Sequence, residues 1–242
     1  MTNNKKIIGS NVRNIPGGSN LQCAYETLLD PIKNSFSGNA VLDVGCFNGY
    51  STNLIKKYNA LRCTGIDILD DFIAAAKTSF ETKDVQFLCG SLNDYSLIDQ
   101  LVQEHNVIIS FGNFYHMYNH FDLIKRFCKP HIKYLVLDSL YGPESADPGM
   151  FWTFEQIRGK TEIIAKGTPN VSWIMQACEC FGFLLDYVQR YYARTDFQNI
   201  EDPEANKRMT MRFFNSKIVE KTTCFKIDDV WEWSNDLLTQ QI

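Results

Sequence analysis

Asp43, Gly45, Gly49 and Asp67 are the residues whose types and spacing point most directly to chemistry. The first three lie in Val41-Leu42-Asp43-Val44-Gly45-Cys46-Phe47-Asn48-Gly49-Tyr50, where an apolar strand stops at Gly45 and the chain must turn sharply into a helix. Glycines at such a turn accept backbone angles that other residues resist, and they leave N–H groups and a helix start facing a ligand crevice. Asp67 closes the next apolar run twenty-two residues after Gly45, about the spacing at which a carboxylate accepts both ribose hydroxyls of a nucleoside cofactor. Phe47 stands where a dinucleotide fingerprint needs its second glycine, which disfavours passage of a pyrophosphate over the turn. No G-K-[ST] follows, so a P-loop is excluded.

A second group follows the later strands. Ser110-Phe111-Gly112-Asn113-Phe114-Tyr115-His116 leaves a fourth apolar run on the face where the cofactor should lie. A neutral His116 could take a proton from an oxygen or nitrogen atom of a substrate and Tyr115 could orient it, although Tyr115 equally fits a core aromatic. His120 is expected to cap a helix or face solvent. Beyond the fifth run, Tyr141, Phe151 and Trp152 could wall a substrate pocket, while Arg158, Lys160 and Arg194 could read an acid group. Apolar packing of a long loop accounts for the same aromatics.

The elements that must position these groups alternate along the chain. Leu21 to Ile32 reads as a short amphipathic helix, Ala40–Val44 as a strand, and about Gly49 to Tyr58 as a helix. Strands at 61–67, 85–88, 107–110 and 134–137 are separated by helices at 70–80, 95–102 and 121–128, with Asp70 as a candidate N-cap. That rhythm predicts an α/β fold, a Rossmann-like, mostly parallel sheet with helices on both faces. The rhythm breaks from 141 to 168 at Pro143, Pro148, Gly149 and Gly159. A helix from Val171 to Phe181 and strands at 183–191 and 210–214 follow, the last two too close for a crossover helix and therefore an antiparallel hairpin. The expected organisation is an N-terminal extension and cap helix over 1–35, a domain over 36–216 with a substrate-side insertion at 141–168, and an aromatic tail over 217–242. The tail carries Trp231 and Trp233 and would pack on the domain or at a subunit interface, so a homodimer is a candidate assembly.

Composition narrows the function. The 242 residues are 45% hydrophobic and 13% aromatic, with 7 Pro and 14 Gly, which suits one sizeable core and excludes a disordered or collagenous chain. Twenty-four basic against 28 acidic residues give a net charge of -4, so no global field gathers a polyanion. Lys5-Lys6, Lys56-Lys57 and Lys207-Arg208 read as solvated surface. The eight cysteines form no zinc-like spacing with His105, His116, His120 or His131, so no metal site is expected, and free thiols in apolar runs fit a reducing, cytoplasmic compartment. The polar N-terminus has no signal-like apolar core and no stretch reaches the roughly 18 apolar residues of a membrane span.

Asp43-x-Gly45-Cys46-x-x-Gly49-Tyr50, Asp67, Cys89-Gly90-Ser91-Leu92 and the 110–116 strand exit together resemble class I S-adenosylmethionine-dependent methyltransferases over about residues 36 to 216. The resemblance implies a seven-stranded sheet with a late antiparallel hairpin and S-adenosyl-L-methionine as cofactor. It implies that Asp43, Gly45, Cys46, Phe47 and Gly49 hold the methionine end and Asp67 the ribose. Ile68 and Leu92 would sandwich adenine, although they also fit as core-edge residues, Ser91 would contact the adenine amino group, and Ser110 and Phe111 would border the sulfonium. The implied reaction is methyl transfer to an O or N atom of a small or medium-sized metabolite. The G-C-x-x-G-Y form with Phe114-Tyr115-His116 is also similar to the methyl or carboxymethyl transferases of tRNA wobble uridine, which keeps a nucleic-acid acceptor as an alternative. Phe47, where many relatives have a glycine, and Ser91, where an aspartate often stands, leave a third reading, a non-catalytic interaction subunit on the same fold.

Overall fold

The chain enters through β1 (Arg13–Ile15) and helix α1 (Leu21–Leu29), which a 3-10 turn over Asp30–Ser35 extends. In this computed structural model, residues 13–15, 21–117, 119–142, 147–156, 163–193 and 207–220 are described. β2 (Ala40–Val44) carries Val41 on one face and Leu42 and Val44 on the other, which only a strand covered on both sides can bury. It sits inside the sheet, with helix α2 (Tyr50–Lys57) leading to β3 (Arg62–Asp67). Helix α3 (Asp70–Phe80), β4 (Val85–Cys89), helix α4 (Tyr95–Glu104), β5 (Val107–Phe111), helix α5 (His120–Phe127) and β6 (Tyr134–Leu140) complete the alternation. Strands β2 to β6 pair in parallel.

After β6 come β7 (Met150–Gln156), β8 (Ile163–Pro169), helix α6 (Val171–Glu179), β9 (Phe183–Ala193) and β10 (Lys207–Asn215). β10 runs antiparallel between β6 and β9, giving the order β9-β10-β6-β5-β2-β3-β4, the seven-stranded, Rossmann-like sheet with its late hairpin. β1 adds an eighth, three-residue strand along β9. One core layer joins Leu42, Val44 and Ile108 to Ile98, Ile124 and Ile174 of the helices on that face. The other joins Val41, Cys63 and Ile109 to Leu28, Ile55 and Ile73.

Four local expectations are corrected. The insertion holds an antiparallel hairpin, β7 paired with β8, which the sequence hides because β7 opens on the unbroken apolar run Met150-Phe151-Trp152 and the Lys-Gly-Thr-Pro end of β8 masks its strand character. Leu69, not Asp70, occupies the N-cap of α3, since the Asp67 carboxylate already accepts the Leu69 N–H at 3.0 Å, and Asp70 lies in the first turn, where its charge suits the helix dipole. His120 opens α5 as a buried residue, edge-on to Phe114 and Trp173, rather than facing solvent. Arg208 keeps only 18% side-chain exposure and pairs with Asp138, so it is not solvated surface. Arg158, Lys160, Arg194 and residues 221–242, including Trp231 and Trp233, lie outside the described residues. Among the described residues no helix is long and apolar enough to cross a membrane and no His/Cys/Asp/Glu cluster could hold a metal ion.

His105 supplies a pH test of this core. Its Nδ1 lies 2.6 Å from the Leu101 carbonyl, which can only accept, so Nδ1 carries the proton and Nε2 accepts the Thr64 hydroxyl at 2.9 Å. Burial lowers its pKa below the ordinary 6.5. With the folded value depressed, the unfolded chain takes up the proton first as pH falls. The stability tied to neutral His105 is therefore present above about pH 6.5 and drains below it. Urea midpoints across that range should fall more steeply for the wild-type chain than for His105→Asn, and parallel slopes would remove His105 as the titrating group.

Candidate cofactor and acceptor site

β2 is followed by β3 on one side while β5 lies on its other side, so the carboxyl ends of β2 and β5 border the crevice that an α/β sheet opens at its switch point. The turn after β2 forms its floor. The Gly45 and Cys46 N–H groups both donate to the Ile66 carbonyl, at 2.8 and 3.1 Å, and the Gly49 N–H donates to the Cys46 carbonyl at 2.9 Å. The Phe47 N–H donates to Asp67 Oδ2 at 2.9 Å. This corrects the expectation of open amides: these four are engaged with β3 and with the turn itself. A turn so paired is a poor cradle for pyrophosphate, whose binding depends on unpaired N–H groups.

Each residue of the turn has a local reason. Phe47 adopts the left-handed conformation, φ 50°, at the place of the missing glycine, and its ring leans on Phe72 of α3 with centroids 4.0 Å apart. The backbone strain of about 1 kcal/mol is offset by that aromatic contact and the hydrogen bond to Asp67. A Cβ on Gly45 (φ 76°) would overlap the side-chain amide of Asn113, and one on Gly49 would come within 2.6 Å of the Phe87 ring. Cys46 is buried beneath the turn against Gly65, and burial pushes its thiol well up. Its side chain therefore packs the core instead of facing a ligand.

Asp43 is fully buried, and its Oδ2 accepts the Ser51 and Thr52 hydroxyls at 2.6 and 2.7 Å, tying β2 to the first turn of α2. Its Oδ1 is buried with no hydrogen-bond partner among the described residues. Burial pushes the carboxyl up to about 6 against the pull of the two hydroxyls. A raised folded value means that stability is present below the ordinary 3.8 and is lost as pH rises through about 6. Asp43→Asn removes the charge, so its stability relative to the wild-type chain should rise by about 2–3 kcal/mol between roughly pH 4 and pH 7.5. Urea unfolding at the two pH values measures this, and a constant difference would show that Asp43 does not titrate there.

Asp67 stands half-buried at the end of β3 with Ile68 beside it, 65% exposed, and the two form a carboxylate next to an apolar shelf at the crevice rim. Leu92 is half-buried and packs on the core, while the Ser91 hydroxyl accepts the Asn93 N–H at 3.2 Å in the turn before α4. Ser110 is buried and donates to Asn113 Oδ1, and Asn113 Nδ2 donates to the Val44 carbonyl at 2.7 Å. Phe111 is buried edge-on to Tyr25 of α1 with centroids 5.5 Å apart. The side chains of Ser110 and Phe111 thus support the crevice from within, and Asn113 is the side chain that reaches across from β5 to the β2 turn.

Tyr115 and His116 lie half-buried in a 3-10 turn over Phe114–His116, anchored by the buried Phe114, with their rings 4.1 Å apart. β8 packs against this turn. Tyr141 is half-buried at the exit of β6. A Cβ on Gly142 would overlap the Phe151 ring, whereas one on Gly167 would lie 3.2 Å from Trp152. Successive residues of a strand point to opposite faces, so Phe151 and Trp152 do not share one wall, which corrects the expected pocket lining. Sequence reasoning missed three contributors. Tyr25 on α1 stacks at 6.3 Å on Tyr50, and burial, with Asp43 and Asp138 nearby, raises its phenol well above the ordinary range. Asp138 is buried near the end of β6, and Arg208 reaches it from β10 at 3.3 Å. An acid in the apolar run Tyr134-Leu135-Val136-Leu137-Asp138 was the available signal.

The family model described as a methyltransferase domain matches residues 41–131. A malonyl-[acyl-carrier protein] O-methyltransferase of Acetivibrio thermocellus is 34% identical over 90 residues, 36% of this chain, and the matched part spans 30% of that relative. The crystal structure of a Listeria monocytogenes protein described as an S-adenosylmethionine-dependent methyltransferase superposes with a TM-score of 0.61 at 16% identity, covering 80% of this chain and 99% of that one. The magnesium protoporphyrin IX methyltransferase of Synechocystis superposes with a TM-score of 0.56 at 14% identity, covering 80% and 83%. With its parallel sheet, late hairpin and β2 turn, the chain has the fold of the class I S-adenosylmethionine-dependent methyltransferases.

Proposed function

We propose that the protein is an S-adenosylmethionine-dependent methyltransferase that acts on an O or N atom of a small or medium-sized metabolite. The observation that carries this reading is the pairing of Asp67 with the exposed Ile68 at the rim of a crevice whose turn amides are already engaged. Such a rim suits a ribose and an adenine without a polyphosphate. The residues fit the cofactor. Each Asp67 oxygen takes one N–H and keeps a lone pair for a ribose hydroxyl. Ile68 and Leu92 flank the place for the base, and Gly45 with Asn113 lies where the methionine end belongs.

When bound, the cofactor supplies an electrophilic methyl group on a cationic sulfur. The rest is positioning, which can account for much of the rate in such a transfer. Tyr115 and His116 stand on the acceptor side, where His116 can hold or accept a proton and Tyr115 can orient the acceptor. α1, through Tyr25, and β8, through its packing on the Tyr115–His116 turn, flank the crevice and favour a compact acceptor. The similarity to an O-methyltransferase supports oxygen among the candidate acceptor atoms. Calorimetry with S-adenosylmethionine and S-adenosylhomocysteine tests the proposal. Saturable binding of both is expected, and none by folded protein would overturn it.

A further inference from the structure

Arg208, Asp138, Gly112 and Tyr115 meet at the carboxyl end of the sheet from three strands that are remote in sequence. Asp138 faces Phe111 across the β5–β6 pairing, and its carbonyl accepts the Gly112 N–H at 3.0 Å. Its Oδ2 accepts the Thr210 hydroxyl at 2.8 Å, which fixes the carboxylate. Arg208 then places Nη2 3.3 Å from Asp138 Oδ1, with its guanidinium carbon 5.3 Å from the centre of the Tyr115 ring. Gly112 makes room for it: a Cβ there would stand 3.0 Å from Nη2, and the left-handed φ of 71° favours glycine in any case.

The geometry differs from that of the purely structural arginine on the same strand. Arg212 grips Asp186 through two bonds of 2.8 Å and keeps 4% side-chain exposure. Arg208 stands farther from its aspartate and keeps 18% side-chain exposure, beside the turn that carries Tyr115 and His116. A planar guanidinium in that position matches a carboxylate in shape and charge. Asp138 offsets part of the positive field, so a single negative charge is accommodated better than a phosphate dianion.

We infer that Arg208 is the anion-recognition residue of the acceptor site and that the acceptor carries a carboxylate. The inference rests on the methyltransferase reading above, and the same titrations separate the two. Wild-type protein saturated with S-adenosylhomocysteine is titrated with benzoate, 3-phenylpropanoate and hexanoate, each against its amide. At least one acid is expected to bind about 10-fold or more tightly than its amide. Arg208→Gln should abolish that preference without weakening the amide, and Arg208→Lys should keep part of it. Should Arg208→Gln fail to fold because Asp138 loses the Arg208 counter-charge, Asp138→Asn/Arg208→Gln provides the neutral pair for the same comparison. Failure of S-adenosylhomocysteine to bind would undo the methyltransferase reading. Bound S-adenosylhomocysteine with no acid preferred over its amide, or an acid preference that survives Arg208→Gln, would overturn the role of Arg208 alone.

Discussion

Asp67→Ala is expected to weaken S-adenosylhomocysteine binding by about 10- to 100-fold, the equivalent of roughly 1.5–3 kcal/mol for charge-assisted hydrogen bonds to two ribose hydroxyls. The substitution has a second consequence that the structure makes explicit. Asp67 also accepts the Phe47 and Leu69 N–H groups, so its loss unties the β2 turn from β3 and strips the start of α3 of a cap. Asp67→Asn keeps one acceptor oxygen and should fall between the wild-type chain and Asp67→Ala in affinity. Calorimetry on variants first shown to unfold cooperatively in urea separates binding from folding. Unchanged affinity in folded Asp67→Ala would leave Asp67 as a loop tie with no role toward a nucleoside.

Arg212→Ala should cost about 3–5 kcal/mol of folding stability, the usual result of breaking a buried ion pair from one side. Arg212 holds both oxygens of Asp186, donates through Nη1 to the Ser35 hydroxyl at 2.7 Å and lies over the Tyr134 ring. It thereby links β9 and β10 to the turn after α1. Alanine leaves a buried carboxylate without its counter-charge, a large loss against a typical total of about 5–15 kcal/mol. Replacing both partners, Arg212→Met with Asp186→Leu, should recover most of that loss because no charge is left behind. Urea denaturation of the single and double variants provides the measurement. Equal losses in both would place the cost in packing and the Ser35 contact rather than in the uncompensated charge of Asp186.

The alternation of strands and helices from Ala40 to Leu140 was legible in the sequence because each element has a periodic apolar stripe and a glycine or polar break at its end. The same logic located Asp67 and the Tyr115–His116 turn, since a strand end in a parallel sheet faces the crevice wherever the helices pack. The β7–β8 hairpin was not legible, because neither strand alternates cleanly and the pair stands apart from the main sheet. Nor was the inward packing of Cys46: its place in a glycine turn says nothing about which way the side chain points.

What the sequence determined by itself was the sheet, the position of its switch point and the carboxylate at its rim, all consequences of local period and strand order. What only the tertiary structure decided was the engagement of individual groups. Ile66 takes up the Gly45 and Cys46 amides, Asn113 bridges β5 to the β2 turn, and Arg208 reaches Asp138 from a position 70 residues away. Those contacts depend on register between strands distant in sequence, where the shift of a single residue turns every side chain to the other face.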